Sequence, residues 1–393
     1  MFRSRTTRVL RLGAVTAGVA LTIAACGNSS PRTTSSPPGS SRAPSAQTVN
    51  IEYYPGSFYT WLVDLASKAG FFARNRIDAH MIPVSAGGPV AFAGLANGSA
   101  QLAMGDTSLG GPLMDKGVGL RVVSGASSGG WVLVAPKGEA LGGPYPDAVR
   151  SLRGKPIGVV SLGSSAYAYA RQFVIGAGLP PDSVTYQALG GVPAEFVSAI
   201  DSGRVAAAIT DPVTAYLLVV LQHNQVIIST GGEAQSSIYG PGLNAAKLLP
   251  PSSPLLRLAG YPGGWEFTTA SFAAAHPAAV ARIRLALEET DVWMHNPANL
   301  QTVAADLEDT SNIPAFVTSA HLTDAFLRAI LPLIVSWAPV NGIAAFQTFW
   351  INQGLLTKAL PLNQWYVPGI AQSAGAVVDA VDAAGHSDLG SSA

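Results

Sequence analysis

The 393-residue chain has one cysteine, Cys26, and few charged residues. A single cysteine excludes intramolecular disulfides and the paired cysteines of CxxC redox or zinc motifs. Charged residues make up 12% of the chain and the formal net charge is zero, which argues against nucleic acid as a partner, because nucleic acids are bound by basic surfaces. The six histidines show no HExxH or other close ligand spacing, so we expect no metal site and no cofactor.

The first 25 residues have the pattern of a secretory signal peptide, with a basic start and then an apolar run too short to span a bilayer. The run ends in Ile23-Ala24-Ala25-Cys26-Gly27, which resembles a bacterial lipobox. We therefore expect cleavage before Cys26 and lipid attachment to its thiol. The alternative is ordinary cleavage near Ala25, which leaves Cys26 free. After this run, no segment is long and apolar enough to predict a transmembrane helix.

Residues 26–47 are rich in Ser, Thr and Pro and have almost no apolar side chains. Such a segment cannot bury a core, so we expect a disordered tether. The tether would hold a folded body at the outer face of the cytoplasmic membrane, attached by the lipid alone. The body is long enough for two lobes with separate cores.

Within the body, one pattern of strands, glycines and helices occurs twice, from about Ile51 to Asp106 and from about Ile157 to Asp211. Each copy predicts a βαβαβ unit with a Gly-Ser turn after its first strand. The second helix of each copy ends at a glycine, Gly98 or Gly203, eight residues before the aspartate. Two such units predict an α/β fold of two similar lobes, and a cleft between similar lobes is a typical small-molecule site.

We assign residues 48–132 and 267–385 to lobe 1 and 133–266 to lobe 2, and we expect residues 386–393 to be a disordered tail. The region after Trp265 is predicted to be helical and to pack on lobe 1. His276-Pro277 starts one helix and Asn296-Pro297 ends it.

Ligands of open α/β sheets bind beyond the carboxyl ends of the strands, at the amino ends of the following helices. The loops at these places carry glycines, hydroxyls, aromatics and two carboxylates. The candidate ligand-binding residues are Tyr54, Ser57, Phe58, Tyr59, Ser85, Gly87, Gly88, Asp106, Thr107, Trp131, Ser161, Ser164, Ser165, Tyr167, Gly191, Thr210, Asp211 and Trp265.

Several of these residues also have a purely structural interpretation. Ser57, Ser164 and Ser165 are good helix N-caps, and Asp211-Pro212 is a strong N-cap signal. Asp106 and Asp211 lie in loops that contain no Lys or Arg. The carboxylates favour a ligand with N–H donors, although helix N-termini alone can hold an oxyanion.

Trp131-Val132-Leu133-Val134-Ala135 and Trp265-Glu266-Phe267-Thr268-Thr269 are predicted as extended segments that cross between the lobes. If so, Trp131 and Trp265 would wall the hinge side of the cleft and stack on a flat ligand.

The segment Gly125-Ala126-Ser127-Ser128-Gly129 matches the GxSxG motif of hydrolases. That motif requires a helix after the serine, whereas Gly130-Trp131-Val132-Leu133-Val134 predicts a strand. We interpret the match as chance and expect no enzymatic activity.

The body resembles substrate-binding proteins of ABC importers, in the family that binds sulfonates, nitrate and pyrimidine precursors. Leu152-Arg153-Gly154-Lys155-Pro156-Ile157-Gly158 is the most specific stretch. The other matching stretches are Phe58-Tyr59 to Phe71-Phe72, Leu95-Ala96-Asn97-Gly98, Gly178-Leu179-Pro180-Pro181-Asp182-Ser183-Val184 and His276-Pro277-Ala278-Ala279-Val280. Where the family often has Asp after the repeat glycine, this chain has Gln101 and Ala206.

The resemblance implies a type II periplasmic binding protein whose lobes close over a ligand by hinge motion. We expect a lipid-anchored monomer that delivers a small polar organic solute, pyrimidine-like or otherwise N–H-bearing, to an ABC permease. One alternative ligand is a sulfonate, nitrate or similar oxyanion. An alternative of another class is a lipoprotein that presents its ligand to a membrane sensor.

Overall fold

The computed structural model describes residues 45–393, except 86, 232–234, 236–237, 241–243, 259–261, 311–323, 387–388 and 390–393. The predicted signal peptide, Cys26 and the tether up to residue 44 lie outside the described residues. The first strand begins at Gln47, which is the last residue of the expected tether. Residues 45–393 form one compact unit.

In the described part of the chain, ten strands form two five-stranded sheets, one in each lobe. The strands are β1 (Gln47–Tyr53), β2 (Ile77–Pro83), β3 (Leu102–Asp106), β4 (Leu120–Ser128), β5 (Val132–Ala135), β6 (Pro156–Val159), β7 (Thr185–Ala188), β8 (Ala207–Thr210), β9 (Gln225–Ser229) and β10 (Pro262–Thr269). The lobe 1 sheet has the order β2-β1-β3-β10-β4 and the lobe 2 sheet has the order β7-β6-β8-β5-β9.

The helices cover both faces of the sheets, and the C-terminal third of the chain is mainly helical. They are α1 (Trp61–Lys68), α2 (Phe71–Arg74), α3 (Gly88–Asn97), α4 (Thr107–Asp115), α5 (Asp147–Arg150), α6 (Ser165–Gly176), α7 (Pro193–Asp201), α8 (Pro212–Tyr216), α9 (Ala245–Leu248), α10 (Ala270–Ala275), α11 (Pro277–His295), α12 (Leu300–Thr310), α13 (Asp324–Ile330), α14 (Val340–Asn352) and α15 (Ala374–Ala383).

The predicted repeat is confirmed at the level of topology. In lobe 1, β1 pairs in parallel with β2 and β3, and in lobe 2, β6 pairs in parallel with β7 and β8. An antiparallel strand lies next in each sheet, β10 beside β3 and β5 beside β8. Gly98 caps α3 with φ of +82°, and Gly203 follows α7 with φ of +68°. Both need the left-handed conformation that glycine adopts most readily.

The chain passes from lobe 1 to lobe 2 through Gly129–Trp131, between β4 and β5. Gly129 and Gly130 both have positive φ, which turns the chain sharply at this crossing. The return crossing comes earlier than the sequence suggested, because β10 is a lobe 1 strand from Pro262 onward. Residues 262–266 therefore lie in the lobe 1 sheet, and their assignment to lobe 2 was wrong.

Lobe 1 has a core on each face of its sheet. On one face Trp61, Leu62, Ile283 and Leu287 are almost completely buried between α1 and α11. On the other face the aromatic side chains of β10, α14 and the segment after it pack together. Because both faces of the sheet are packed, the carboxyl ends of its strands are held rigidly in place, and the loops that follow them form the candidate site.

The expected disordered tail is contradicted at His386 and Leu389. The side chain of Leu389 is buried, and its carbonyl oxygen accepts a hydrogen bond of 3.2 Å from Asn299 Nδ2. His386 Nδ1 contacts the buried carboxylate of Glu289. The rest of the predicted tail, 387–388 and 390–393, lies outside the described residues.

Across the residues that the structure describes, no helix combines the length and the apolar character needed to cross a membrane. Over the same residues, no group of three or more His, Cys, Asp or Glu side chains is placed to hold a metal ion.

Candidate functional site

Three strand-to-helix turns from each lobe face one another across a cleft. In lobe 1 these turns follow β1, β2 and β3, and in lobe 2 they follow β6, β7 and β8. Four of the helices or helical turns that begin there have a side-chain N-cap, from Ser57, Asp106, Ser164 and Asp211. The capping predicted from the sequence is therefore confirmed for Ser57, Ser164 and Asp211. Ser165 is the first residue of α6 instead of its cap.

The cleft encloses a cavity with about 70 Å³ of space open to the centres of water molecules, several times the requirement of one water. The predicted residues that line it are Tyr54, Ser57, Tyr59, Gly87, Gly88, Asp106, Thr107, Trp131, Ser164, Ser165, Gly191 and Asp211. No Lys or Arg is among the described residues that line this cavity.

Asp106 joins the two lobes. Its Oδ1 accepts hydrogen bonds from Ser108 N (2.7 Å) and from the Ser108 hydroxyl in its own helix, α4. Its Oδ2 accepts from Ser165 Oγ (2.7 Å) and from Ser165 N (3.4 Å) at the start of α6 in lobe 2. Burial raises the pKa of Asp106 above its ordinary value, while the hydrogen bonds from Ser108 and Ser165 act in the opposite direction.

Asp211 is the counterpart of Asp106 in the repeat, and its hydrogen bonds to described residues all lie within lobe 2. Its Oδ1 accepts from Val213 N (2.9 Å) and Thr214 N (3.1 Å), and its Oδ2 accepts from Thr214 Oγ1 (2.5 Å). Burial raises its pKa, and the hydrogen bonds from Thr214 and Val213 lower it. Asp211 is therefore a helix cap at the edge of the cavity, whereas Asp106 is both a cap and a link between lobes.

Two further contacts cross the cleft. The backbone N–H of Gly191 donates to the carbonyl oxygen of Ser85 at 3.0 Å, and Ser108 Oγ, whose proton is donated to Asp106, lies 3.4 Å from the carbonyl oxygen of Gly163. Gly190 has φ of +87°, and a Cβ atom there would lie 3.0 Å from the Ser85 carbonyl oxygen, so the lobes approach each other here backbone to backbone. The structure therefore has the lobes in contact over the cavity, the closed arrangement of a two-lobed protein.

Aromatic rings form the hinge side of the cavity. The ring centroids of Tyr59 and Trp131 are 4.9 Å apart, and those of Trp131 and Tyr169 are 6.4 Å apart. Tyr59 Oη and Ser127 Oγ are buried, and neither has a hydrogen-bond partner among the described residues. Burial raises the pKa of Tyr59 well above its ordinary value, so Tyr59 is a neutral donor. The cavity thus offers unused hydroxyl groups beside stacking surfaces.

Trp265 does not line the cavity, and its predicted place at the hinge was wrong. It lies within β10, which pairs with β3 and β4, and its side chain is fully buried in lobe 1. Its ring packs at about 6 Å from those of Phe346 (6.2 Å) and Trp365 (6.1 Å).

Five other candidates also lie outside the cavity lining. Phe58 is fully buried against Trp61, and Thr210 is fully buried in β8. Tyr167 packs edge-on against Tyr186 with centroids 4.9 Å apart and accepts a hydrogen bond of 3.1 Å from Arg171. The carbonyl oxygen of Ser161 accepts a hydrogen bond from Ser164 Oγ at 2.7 Å. The carbonyl oxygen of Ser85 accepts one from the backbone N–H of Gly191.

Sequence reasoning missed several lining residues. Tyr169 lies one helical turn after Ser165, so the periodicity of α6 could have identified it in place of Tyr167. Phe346 and Trp350 are one turn apart on α14, and Trp350 Nε1 donates to Thr107 Oγ1 at 2.6 Å; no local signal connects them to the repeat. The other missed residues are Met104, Gly105, Leu109, Ser127, Gly129, Val160, Phe196, Gly263 and Gly264.

Ser127 lies in the GxSxG match, and the geometry of a hydrolase nucleophile is not formed there. Ser127 belongs to β4, and β5 follows it after a three-residue crossing. The strained turn into a helix that this motif requires is therefore replaced by extended chain.

No known protein-family profile matches the chain, and no curated protein matches it in sequence. Solved structures do match its fold. The alkanesulfonate-binding protein of Xanthomonas axonopodis pv. citri, solved with MOPS bound, is 19% identical with a TM-score of 0.61, over 83% of this chain and 98% of that one. The periplasmic nitrate-binding protein of Synechocystis PCC 6803 is 13% identical with a TM-score of 0.63, over 87% and 90%.

A Candida albicans protein described as having the generic periplasmic binding protein fold is 11% identical with a TM-score of 0.56, over 86% of this chain and 95% of that one. The sulfonate and nitrate binders are the classes that the sequence resemblance named. With its two mixed sheets, flanking helices and interlobe cavity, the chain has the fold of the periplasmic binding proteins.

Proposed function

We propose that this protein is the extracytoplasmic solute-binding component of an ABC importer and is not an enzyme. The observation that carries the proposal is a cavity between two contacting lobes, at the strand ends, in a fold shared with sulfonate- and nitrate-binding proteins. Closure of the lobes over the solute would create the surface that a permease recognises. Cys26, if lipidated, would keep the protein at the membrane.

For the ligand we favour the oxyanion alternative, a sulfonate, over the pyrimidine-like solute. The similar structures support this choice. The contacts of the two carboxylates support it too, because both oxygens of Asp106 and of Asp211 already accept hydrogen bonds from protein donors. The N–H donors of a ligand are therefore not needed to satisfy these carboxylates.

In this proposal the oxyanion is held without a cation. The carboxylates of Asp106 and Asp211 accept hydrogen bonds from backbone N–H groups at the amino ends of α4 and α8. The carboxylate of Asp106 also accepts one from Ser165 N at the amino end of α6. The amino end of α3 is different, since its cap, Gly87, provides no side-chain hydrogen bond, and Gly87 and Gly88 line the cavity. An oxyanion there would meet the positive end of a ten-residue helix, with Tyr59 and Ser127 as hydroxyl donors.

The pyrimidine-like solute remains a second candidate because of one observation: a cavity with two carboxylates and aromatic walls, and no cation among the described lining residues. A flat N–H-bearing ring would stack on Trp131 and Tyr59.

The two candidates are distinguished by calorimetric titration with methanesulfonate, nitrate and an aminopyrimidine. We expect methanesulfonate to bind and the aminopyrimidine not to. Binding of the aminopyrimidine alone would reverse the ligand assignment, and turnover of any of the compounds would overturn the binding-protein proposal.

Partner and anchor are tested separately. We expect a permease to co-purify with the protein from membranes, whereas co-purification of a sensor kinase would favour the ligand-presenting alternative. Labelled palmitate should enter the wild type but not Cys26→Ser. Light scattering after gel filtration should give a monomer.

A further inference from the structure

The loops that follow the second strand of each repeat, β2 in lobe 1 and β7 in lobe 2, meet across the cleft. Lobe 1 contributes Ser85 and Gly87. Lobe 2 contributes Gly190 and Gly191, together with Val160, which directly follows β6 and accepts a backbone hydrogen bond of 3.0 Å from Gly190. We call these five residues the glycine seam. It is closed by the hydrogen bond from the backbone N–H of Gly191 to the carbonyl oxygen of Ser85.

Two glycines of the seam lie where a side chain would meet the opposite lobe. A Cβ atom placed on Gly87 would lie 3.2 Å from Cγ1 of Val160, and one placed on Gly190 would lie 3.0 Å from the carbonyl oxygen of Ser85. Non-bonded carbon atoms are normally about 3.5–4.0 Å apart. Either Cβ atom would therefore displace the group that faces it in the other lobe, and the lobes touch here because the chain has no side chain at these positions.

Backbone conformation alone also requires glycine at some positions, and the repeat contains examples for comparison. Gly98 and Gly203 have φ of +82° and +68°, and no atom of the described residues lies within 4 Å of a Cβ atom placed on either of them. Gly87 and Gly190 have similar φ, +83° and +87°, but face the other lobe. The glycines of the seam thus meet two requirements, a left-handed backbone and an interlobe contact.

We propose that the glycine seam is the gate of the cleft. Its backbone contact determines how much of the protein is closed, and a single β-carbon in the seam shifts the protein toward the open form. The contacts of the seam exist only when the lobes are together, because one half of the seam belongs to each lobe. Control of solute release by this gate rests on the proposed function, whereas the closing of the lobes can be measured on the protein alone.

Amide hydrogen exchange, followed by NMR without a ligand, tests the gate. Two backbone N–H groups of lobe 2 donate across the cleft, that of Gly191 to Ser85 and that of Ser165 to Asp106, and opening of the cleft exposes both to exchange. In Gly87→Ala the added methyl group is in lobe 1. We expect the protection of both amides to fall together by about 2- to 10-fold, the equilibrium equivalent of one neutral hydrogen bond.

Gly98→Ala is the matched control, because Gly98 ends the helix that Gly87 begins, has nearly the same φ and has open space around it. Both substitutions strain the backbone alike, and only Gly87→Ala adds a contact with lobe 2. Exchange at Gly191 and Ser165 should match the wild type in Gly98→Ala. The proposal is overturned if Gly87→Ala also matches the wild type, if both variants lose protection equally, or if only the Gly191 amide is affected.

Gly190→Ala tests the gate from lobe 2 and covers the case in which Gly87→Ala does not fold. Its matched control is Gly203→Ala, in the same lobe and with open space around it. Protection of the Ser165 amide should fall in Gly190→Ala and not in Gly203→Ala, and equal protection in the two variants would refute the gate.

The effect on a solute is measured as a dissociation rate. Gly190 is not among the residues that line the cavity, so Gly190→Ala should act on release through opening alone. We expect it to raise the dissociation rate of methanesulfonate, measured by stopped flow, by the factor by which it lowers the protection of the Ser165 amide. An unchanged rate beside lowered protection would overturn the control of release. If methanesulfonate does not bind the wild type, the proposed head group is wrong, and the exchange experiments still decide the gate.

Discussion

The hydrogen bond from Ser165 Oγ to Asp106 Oδ2 should set how readily the cleft closes, and Ser165→Ala tests this. The bond is 2.7 Å long and joins a hydroxyl in lobe 2 to a carboxylate in lobe 1. Hydrogen bonds to charged groups contribute about 1.5–3 kcal/mol. Only the closed form makes this bond, so its loss should shift the equilibrium toward the open form by about 10- to 100-fold.

The population of the closed form can be measured without a ligand. Spin labels can be attached to cysteines introduced in place of Ile175 on α6 and Val378 on α15, which are 43% and 47% exposed on the surfaces of the two lobes. Cys26→Ser removes the native cysteine, so that only these two positions are labelled. Pulsed electron paramagnetic resonance should show a single short distance where the closed form dominates. Ser165→Ala should add or enlarge a longer one. In calorimetric titration, the ligand affinity of Ser165→Ala should fall in proportion to the decrease in its closed population.

Ser164→Ala is the matched control for this experiment. Ser164 precedes Ser165 and caps α6 through Tyr167 N (3.3 Å), within its own lobe. Its loss should lower the free energy of unfolding by about 1 kcal/mol and leave the label distances unchanged. If Ser165→Ala gives the same distance distribution as the wild type, or if both variants open the cleft equally, the link through Asp106 does not control closure.

Three further predictions follow from the contacts. Trp131→Ala should weaken ligand binding more than tenfold in calorimetry, whereas Trp265→Ala should leave the site in place and lower the free energy of unfolding by about 3–5 kcal/mol; the reverse pattern would contradict the placement of the two rings. Asp211→Ala should cost about 1–2 kcal/mol in chemical denaturation, and Asp211→Asn less, because Asn also caps helices; equal losses would argue against a capping role. Burial raises the pKa of the Glu288 carboxyl from 4.5 to about 7, so the folded state holds the carboxyl proton more tightly than the unfolded state. The protonated carboxyl therefore contributes fully to stability below about pH 4.5, and this contribution is lost as the pH rises through 7. From pH 5 to pH 8 the wild type should therefore lose about 2 kcal/mol of unfolding free energy relative to Glu288→Gln; parallel pH profiles would show that the pKa is not raised.

The repeated pattern predicted the parallel core of both sheets because its signals are local. The helix-ending glycines and the capping serines and aspartates act on their own turns, and each does what its residue type requires. Gly98, for example, ends α3 in the left-handed conformation, and Ser164 caps α6. Local chemistry of this kind can be read from sequence without knowing the tertiary fold.

The site residues that were predicted wrongly depend on distant packing. Trp265 was placed at the hinge because its strand follows lobe 2 in sequence, but pairing with β3 and β4 draws that strand into lobe 1. Phe346 and Trp350 reach the cavity from α14, more than 200 residues from β3 and α4 in the chain. Such pairings depend on tertiary contacts that one sequence does not reveal.

Asp106 and Asp211 stand at matching positions of the repeat, and the difference between their contacts explains why the pattern says little about the ligand. Both cap a helix after the third strand of a unit. Only Asp106 faces the amino end of a helix in the other lobe, so only Asp106 links the lobes. The repeat describes each lobe by itself, whereas ligand selection depends on groups that meet when the lobes close. What this protein binds should therefore be sought in the features that the two lobes do not share.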